Sequence, residues 1–457
     1  MANPEYYIDI DFSFVVSSDA TLSDEIVQFA FNRRIADAFN PISVGQATIV
    51  LDNYNGDFSP ENKNSPYYPL TKGGRVTLRS LYNSVTYYHF IGTIDSYSVE
   101  TSPGKRITII QATDEVKKLK DVKTAASFVD VPIDFNVSSL FNDLISTAGI
   151  GFSDVAVLSE VIPFPFFLEK DNAQTFDDLL RLGDFKFFVA SGHYLTVKNN
   201  FYTSSATPVA SFNNNFLSIS YESNFGRIIN KINVRGFSRL LSTSINTCAY
   251  NLDVMTIPGS SSIGFWLHYV NPITLEENTP CLSMISVVAS TDYLGNTLAD
   301  GTGINRTVTP NVTFFSTSAV CSLTNPNSGD IFLTKFQLRG YAITKSPIRY
   351  QIENSSSQGL YGKREYTLDH PFIQKFLYAS SYARYILSKY KERDPILSLA
   401  VKNDFAQILP REIGDVVVVV ESNMSVGSRW SIQEMTQTVT LGSGLEHVLE
   451  MKLLKVL

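Results

Sequence analysis

The chain has 457 residues, and its 37 Lys plus Arg against 44 Asp plus Glu leave a formal net charge of −7. A chain of this length suggests about three domains, and its 44% hydrophobic and 18% charged residues are those of a globular chain able to bury a large core. No long basic run is present, which speaks against direct nucleic-acid binding, because phosphates must be neutralised by clustered Lys and Arg.

Other exclusions follow from single residue types. Cys248, Cys281 and Cys321 are odd in number and far from any CxxC spacing, so they read as buried free thiols rather than a disulfide framework or zinc knuckle. Residues Met1 to Asp11 carry acids where an export signal needs a basic region, and the apolar run Val416–Val420 is too short to span a bilayer. The expectation is a soluble product of a reducing cytoplasm, without a membrane-spanning segment.

Strands dominate the N-terminal part. Apolar residues at Tyr6, Ile8, Ile10, Phe12, Phe14 and Val16 alternate with Asp9, Asp11 and Ser13, which predicts a long strand with one buried face. Further strands are predicted around Ile26–Phe31, Gln46–Leu51, Arg75–Leu81, Tyr87–Tyr97 and Arg106–Ala112. The turn formers Asn40-Pro41, Asn55-Gly56, Gly73-Gly74 and Pro103-Gly104 separate them. Many strands at close spacing predict a barrel or sandwich in the first 120 residues.

The middle changes character. Leu140, Phe141, Leu144, Ile145 and Ala148 recur at helical spacing between Asn136 and Gly149. A second helix is predicted to begin at Thr175, where Thr175-x-x-Asp178 has the form of a capping box, and to end near Gly183. Phe185–Val189 and Tyr194–Val197 then form a hairpin around Ser191-Gly192, giving a small α/β module. The stretch 240–345, rich in Ser, Thr, Asn and Gly with short apolar runs such as Ile285–Ala289 and Ile331–Leu338, reads as an inserted β-sandwich with long loops. A long helix is predicted over His370–Arg393, capped by Asp369 and stopped by Pro395. Strands at Asp415–Val420, Trp430–Thr440 and His447–Val456 follow, the last two joined by Leu441-Gly442-Ser443-Gly444.

A search for reaction chemistry finds no phosphate loop, HExxH or GxSxG pattern. Gly301-x-Gly303 has Arg306 where a dinucleotide fingerprint needs glycine, and Gly442-x-Gly444 has His447 in that slot. Asn53-x-Asn55-Gly56 lacks the carboxylates of a calcium loop, with Leu51 first and Asn62 twelfth, and reads as a turn. His89, His193, His268, His370 and His447 are scattered, and none has a His or Cys three or four residues away. Asp177 and Asp178, adjacent on a helix, diverge by about 100° and cannot flank one bond. No catalytic, cofactor-binding or metal residue is assigned, and no cofactor is expected.

One segment reads as a family signature. Leu51-Asp52-Asn53, then Gly56, Phe58, Ser59 and Pro60, followed by Ser65-Pro66-Tyr67-Tyr68-Pro69-Leu70 and the strand at Arg75–Leu78, resembles the early element of bacteriophage minor tail proteins. Locally, Asn55-Gly56 supplies positive φ for a tight reversal and Phe58 tucks back onto the strands. Thr175–Leu180 with Tyr194–Val197, Ile228–Val234, Gly359–Glu365, the long Tyr-rich helix and Leu409-Pro410 with Ile413–Val416 resemble later parts of the same proteins, in the same order. Residues 240–345 have no counterpart in the resemblance.

The resemblance to tail-hub proteins, similar to the central baseplate hub of contractile phages and to siphophage tail-tip hubs, implies a mainly β fold with α+β parts. It implies a tail-tube-like β-barrel at 1–120, an α/β module at 121–204 and strands returning to the barrels at 205–239. A long helix with a second barrel at 351–457 completes it, while the inserted β-sandwich-like domain at 240–350 rests on composition alone. The implied role is a non-enzymatic virion protein at the tail tip, made in the host bacterial cytoplasm. There a homotrimer joins a six-fold tube to a three-fold tip and forms part of the DNA ejection channel. Its implied partners are itself, the tail tube or distal tail protein, the tape measure protein and tip or fibre proteins, without specific nucleic-acid binding. Two other classes compete. A cell-wall hydrolase would need a carboxylate pair or metal cluster, which no local pattern supplies. A receptor- or carbohydrate-binding tail protein could expose Trp266 and Tyr269 to sugars, whereas the run Phe265-Trp266-Leu267 reads more simply as core.

Overall fold

A computed structural model describes residues 3–11, 19–37, 39–68, 73–124, 135–151, 153–165, 170–191, 194–199, 207–224, 227–251, 253–272, 279–315, 317–422, 426–442 and 444–456. The alternation at the N-terminus does produce a strand, Glu5–Asp11, with Tyr6, Ile8 and Ile10 buried; Phe12, Phe14 and Val16 lie outside the described residues. It is part of a 13-stranded sheet containing strands from both ends of the chain. From one edge the order is Ser218–Asn224, Asp394–Lys402, Glu446–Lys455, Val426–Thr440, Ile26–Arg34, Gln46–Asp52, Lys105–Thr113, Val85–Ser102, Arg75–Tyr82, Glu5–Asp11 and Asp19–Leu22. Val416–Glu421 pairs with Val426–Thr440, and Ala210–Asn213 pairs with Val416–Glu421.

Two closed barrels were the sequence expectation, and the described strands form no closed barrel. They make one open sheet with two lobes, each with its own core. Phe29, Phe31, Ile49, Leu51, Val76 and Leu78 fill the first. Leu399, Val417, Val419, Trp430, Ile432 and Leu453 fill the second. The reason is the strand Val426–Thr440. Its first half, Val426–Ser431, pairs with Val416–Glu421 in the second lobe, and its second half, Glu434–Thr440, pairs with Ile26–Arg34 in the first. Strand hydrogen bonds that would close one lobe are instead spent joining it to the other.

A separate α/β core holds the helices Val137–Thr147, Asn172–Gly183 and Phe376–Tyr390. Asn136 caps the first, its Oδ1 accepting from Ser138 N at 2.8 Å, and Gly149 takes positive φ after its end. The second helix starts three residues before the predicted Thr175. Asp171 is its cap, accepting from Gln174 N at 2.7 Å, while Thr175 is buried and its hydroxyl donates back to Asp171 O. The long C-terminal helix spans Phe376–Tyr390 rather than His370–Arg393. Pro371 disfavours helical backbone at His370, and Glu365–Asp369 is taken up as a strand parallel to Lys231–Leu241. The expected hairpin is present as Lys186–Val189 paired with Leu195–Lys198; Gly192 and His193 lie outside the described residues.

One strand of 23 residues, Ile331–Glu353, carries the chain from this core into residues 246–342. Its second half pairs with Lys231–Leu241. Its first half takes Asn246–Asn251, Met255–Ile257, Cys281–Leu282 and Tyr293–Asn296 as partners. Across a core of Phe336, Leu338, Ala319, Cys321 and Leu323 lies a three-stranded sheet, Ser262–His268, Ser318–Thr324 and Thr309–Phe314. The apolar run Ile285–Ala289 is irregular chain, with Ile285 N donating to Arg339 O at 2.8 Å. No helix among the described residues is long and apolar enough to cross a membrane.

Candidate functional site

Three places gather polar chemistry, and burial separates structural polarity from usable polarity in each. In the first, Tyr6 and His447 come from opposite ends of the chain. Tyr6 Oη lies 2.8 Å from His447 Nδ1, and His447 Nε2 lies 3.0 Å from Gln437 Oε1. The glutamine oxygen can only accept, so Nε2 carries the proton and Nδ1 accepts from the tyrosine hydroxyl. His89 stands edge-on at 6.3 Å between ring centres, its Nε2 2.8 Å from Ser80 Oγ. Burial pushes His447 down to about 3, and burial with the nearby charges pushes His89 well below its ordinary value. Both are neutral and buried, and their hydrogen bonds join strands.

The second place is an ion cluster where the first lobe meets the α/β core. Lys186 Nζ lies 3.0 Å from Asp37 Oδ2 and 3.4 Å from Asp184 Oδ2, and Lys389 Nζ lies 2.9 Å from the same Asp184 oxygen. Tyr385 Oη donates to that oxygen at 2.9 Å. Burial raises the Asp37 carboxyl, but Lys186, Lys389 and the Phe39 N–H outweigh it and hold it below the usual range. Burial alone would lower Lys186, yet Asp184 and Asp37 raise it; for Lys389 burial wins and lowers it. The cluster borders a cleft of about 280 Å³ that also meets Arg34, Arg227 and Lys455. Its charges satisfy one another, which suits a clamp between elements.

The third place is two of the three terminal strands of the branched sheet, the other being Ala210–Asn213, which pairs with Val416–Glu421. Among the described residues, Asp19–Leu22 pairs with Glu5–Asp11 alone, and Ser218–Asn224 pairs with Asp394–Lys402 alone. Along the second edge Leu217, Ser218, Ser220, Tyr221 and Glu222 are all exposed, Leu217 at 61% and Tyr221 at 49%. A strand with a bare edge and bare side chains is a template for another chain.

Among the motifs weighed from sequence, Asn53 is buried, its Oδ1 accepting from Phe58 N at 2.9 Å and its Nδ2 donating to Ser59 Oγ at 3.0 Å, so side-chain hydrogen bonds hold the turn at Gly56 (φ 78°). Phe58 stacks on Tyr67 at 4.8 Å within the first core. Gly301 and Gly303 sit in a loop held by buried Asn296, whose Nδ2 donates to both carbonyls. Gly442 and Gly444 flank the turn before His447; Ser443 is outside the described residues. Asp177 accepts from Ile42 N at 2.8 Å, and Asp178 meets His370 Nε2 through its carbonyl. All three cysteines are buried and free. Among the described residues no three His, Cys, Asp or Glu side chains are placed to hold a metal.

Two placements reverse the sequence reading: Trp266, expected in the core, is 59% exposed, and Tyr269, expected with it at the surface in the rival reading, is fully buried. Strict alternation puts Phe265 and Leu267 against the inner core and turns Trp266 out. The ion cluster and the sheet edges carried no local sequence signal, since the partners are as far apart as Asp37 and Lys389.

No family model and no curated protein matches the sequence. Among solved structures, the 43 kDa tail protein of prophage MuSo2 from Shewanella oneidensis aligns with a TM-score of 0.52 at 9% identity, covering 98% of each chain. The tail protein from Neisseria meningitidis MC58 aligns with a TM-score of 0.53 at 9% identity, covering 98% of this chain and 96% of that one. The similarity reaches end to end, and the chain has the fold of phage tail proteins.

Proposed function

We infer that this chain is a structural component of a phage tail, the hub that joins tail tube to tip as a ring of three copies. The observation that carries the reading is the open 13-stranded sheet, which among the described residues has an unpaired edge at each end of its main strand order. Different edges on one molecule make a heterologous contact, first-lobe edge of one copy to second-lobe edge of the next, and such contacts close into a ring when the rotation allows. The exposed Leu217 and Tyr221 then become covered surface. The end-to-end likeness in fold to two tail proteins supports the same setting.

In that role the chain performs no reaction; it positions neighbours, namely the tail tube or distal tail protein above it and tape measure and tip or fibre proteins around it. A conduit for DNA is best served by few phosphate contacts, and the net charge of −7 without a basic run fits this. Native mass spectrometry of the assembled tail complex should show three copies per particle. A dimer, or a stable monomer within assembled tails, would refute the ring.

A further inference from the structure

We propose that the outer face of the three-stranded sheet binds a neutral glycan, with Trp266 as the stacking platform. The three strands are Ser-Ile-Gly-Phe-Trp-Leu-His from Ser262, Thr-Pro-Asn-Val-Thr-Phe from Thr309 and Ser-Ala-Val-Cys-Ser-Leu-Thr from Ser318, and none contains Lys, Arg, Asp or Glu. Cross-strand register puts Trp266, Val320 and Thr313 in one row and Gly264, Ser322 and Asn311 in the next, all on the outer face. The opposite face is committed to the core through Ile263, Phe265, Leu267, Val312 and Phe314.

Phe315, just beyond the last residue of its strand, stacks on Trp266 with centroids 5.5 Å apart and planes 19° apart. That contact holds the indole in place while leaving it 59% exposed. Beside it Gly264 provides open floor: a Cβ there would meet only Cys321 O, at 3.9 Å. Asn311, Thr313 and Ser322 form no side-chain hydrogen bond with any described residue.

These are the complements of a pyranose ring. An aromatic face is electron-rich and attracts the weakly positive C–H face of a sugar. Amide and hydroxyl side chains one row away can both donate to and accept from sugar hydroxyls. A nucleobase would stack equally well, but its phosphates call for Lys or Arg, which these strands lack. A protein partner of ordinary affinity would cover about 1,200–2,000 Å² in total, and the apolar part of this face is Trp266, Phe315 and Val320.

The site can be tested on the full chain, and it needs no oligomer, so its outcome is independent of the hub reading. The protein has two tryptophans, and Trp430 is 1% exposed, so ligand-dependent fluorescence reports on Trp266. Maltohexaose, cellohexaose and chitohexaose are the probes, with oligothymidylate and phosphatidylcholine vesicles as controls. At least one oligosaccharide should give a saturable change, confirmed by calorimetry. Trp266→Ala should weaken binding about tenfold or more, Asn311→Ala should weaken it less, and both should melt like the parent. No saturable response to any of the three sugars would overturn the proposal. So would undiminished calorimetric binding by Trp266→Ala, or a response only to the controls or to self-association on concentration.

Discussion

The second lobe and the three-stranded sheet at 262–324 treat their tryptophans in opposite ways. Trp430 sits on a strand with neighbours on both edges and is 1% exposed, its ring edge-on to Tyr221 at 6.4 Å. Trp266 sits on an edge strand and is 59% exposed. One lobe buries its tryptophan and leaves an edge strand bare; the other sheet presents its tryptophan on its face. A bare edge recruits another strand, whereas a displayed ring recruits a ligand, so the two regions are suited to different partners.

The comparison can be broken by mutation. Trp430→Ala should cost about 3–5 kcal/mol, through lost burial and the cavity left behind, whereas Trp266→Ala should stay within about 0.5 kcal/mol. Equal denaturation midpoints for the two variants would remove the distinction. Of similar size is Lys186→Ala, which leaves Asp37 and Asp184 buried without that partner and should cost about 3–5 kcal/mol. The exposed pair Lys105–Glu100, at 3.4 Å, should contribute about 0–1 kcal/mol when broken. Denaturant titrations of Lys186→Ala and Lys105→Ala measure the difference, and a Lys186 effect no larger than that of Lys105 would show that the cluster clamps nothing.

Gly56→Val should cost about 1–3 kcal/mol, because a β-branched residue is forced to φ near 78°. The added Cβ would meet only Ser59 Oγ at 3.8 Å and Asn62 Nδ2 at 4.0 Å, so backbone strain is the cause to be tested. Gly56→Asn, which tolerates positive φ, should recover most of the loss in thermal melting.

The histidine cluster predicts an acid limit. His447 is held at about 3 when folded against 6.5 ordinarily, so between those values the unfolded chain binds the extra proton. The stability this neutral histidine allows is complete above pH 6.5 and declines as pH falls toward 3. One such proton changes stability by about 1.4 kcal/mol per pH unit inside the window. His89 acts in the same direction, and Asp114, raised to about 7 by burial, opposes both. The contribution of His447 is therefore read as the difference in slope between the parent and His447→Gln, measured by denaturant titration from pH 7 to 4. Parallel slopes would remove it.

Much of the fold was legible because short-range rules set it. The alternation at Tyr6, Ile8 and Ile10, the helical spacing between Asn136 and Gly149 and the turn at Asn55-Gly56 each depend on a few adjacent residues. The helix starts went astray where tertiary pairing outweighed local pattern: Glu365–Asp369 is drawn into a sheet, and Asp171 rather than Thr175 caps its helix. An unbroken run such as Phe265-Trp266-Leu267 looks like core until alternation on a two-sided sheet is known. Lys186 and Lys389 meet Asp184 only after folding, and a strand is an edge or a centre by virtue of pairing order, which local sequence does not encode.

The most decisive observation is an image of tails carrying a label on this chain. A hub built by joining one copy's first-lobe edge to the next copy's second-lobe edge predicts three labels around the tail axis at the tip. Labels at the periphery, away from the axis, would contradict it.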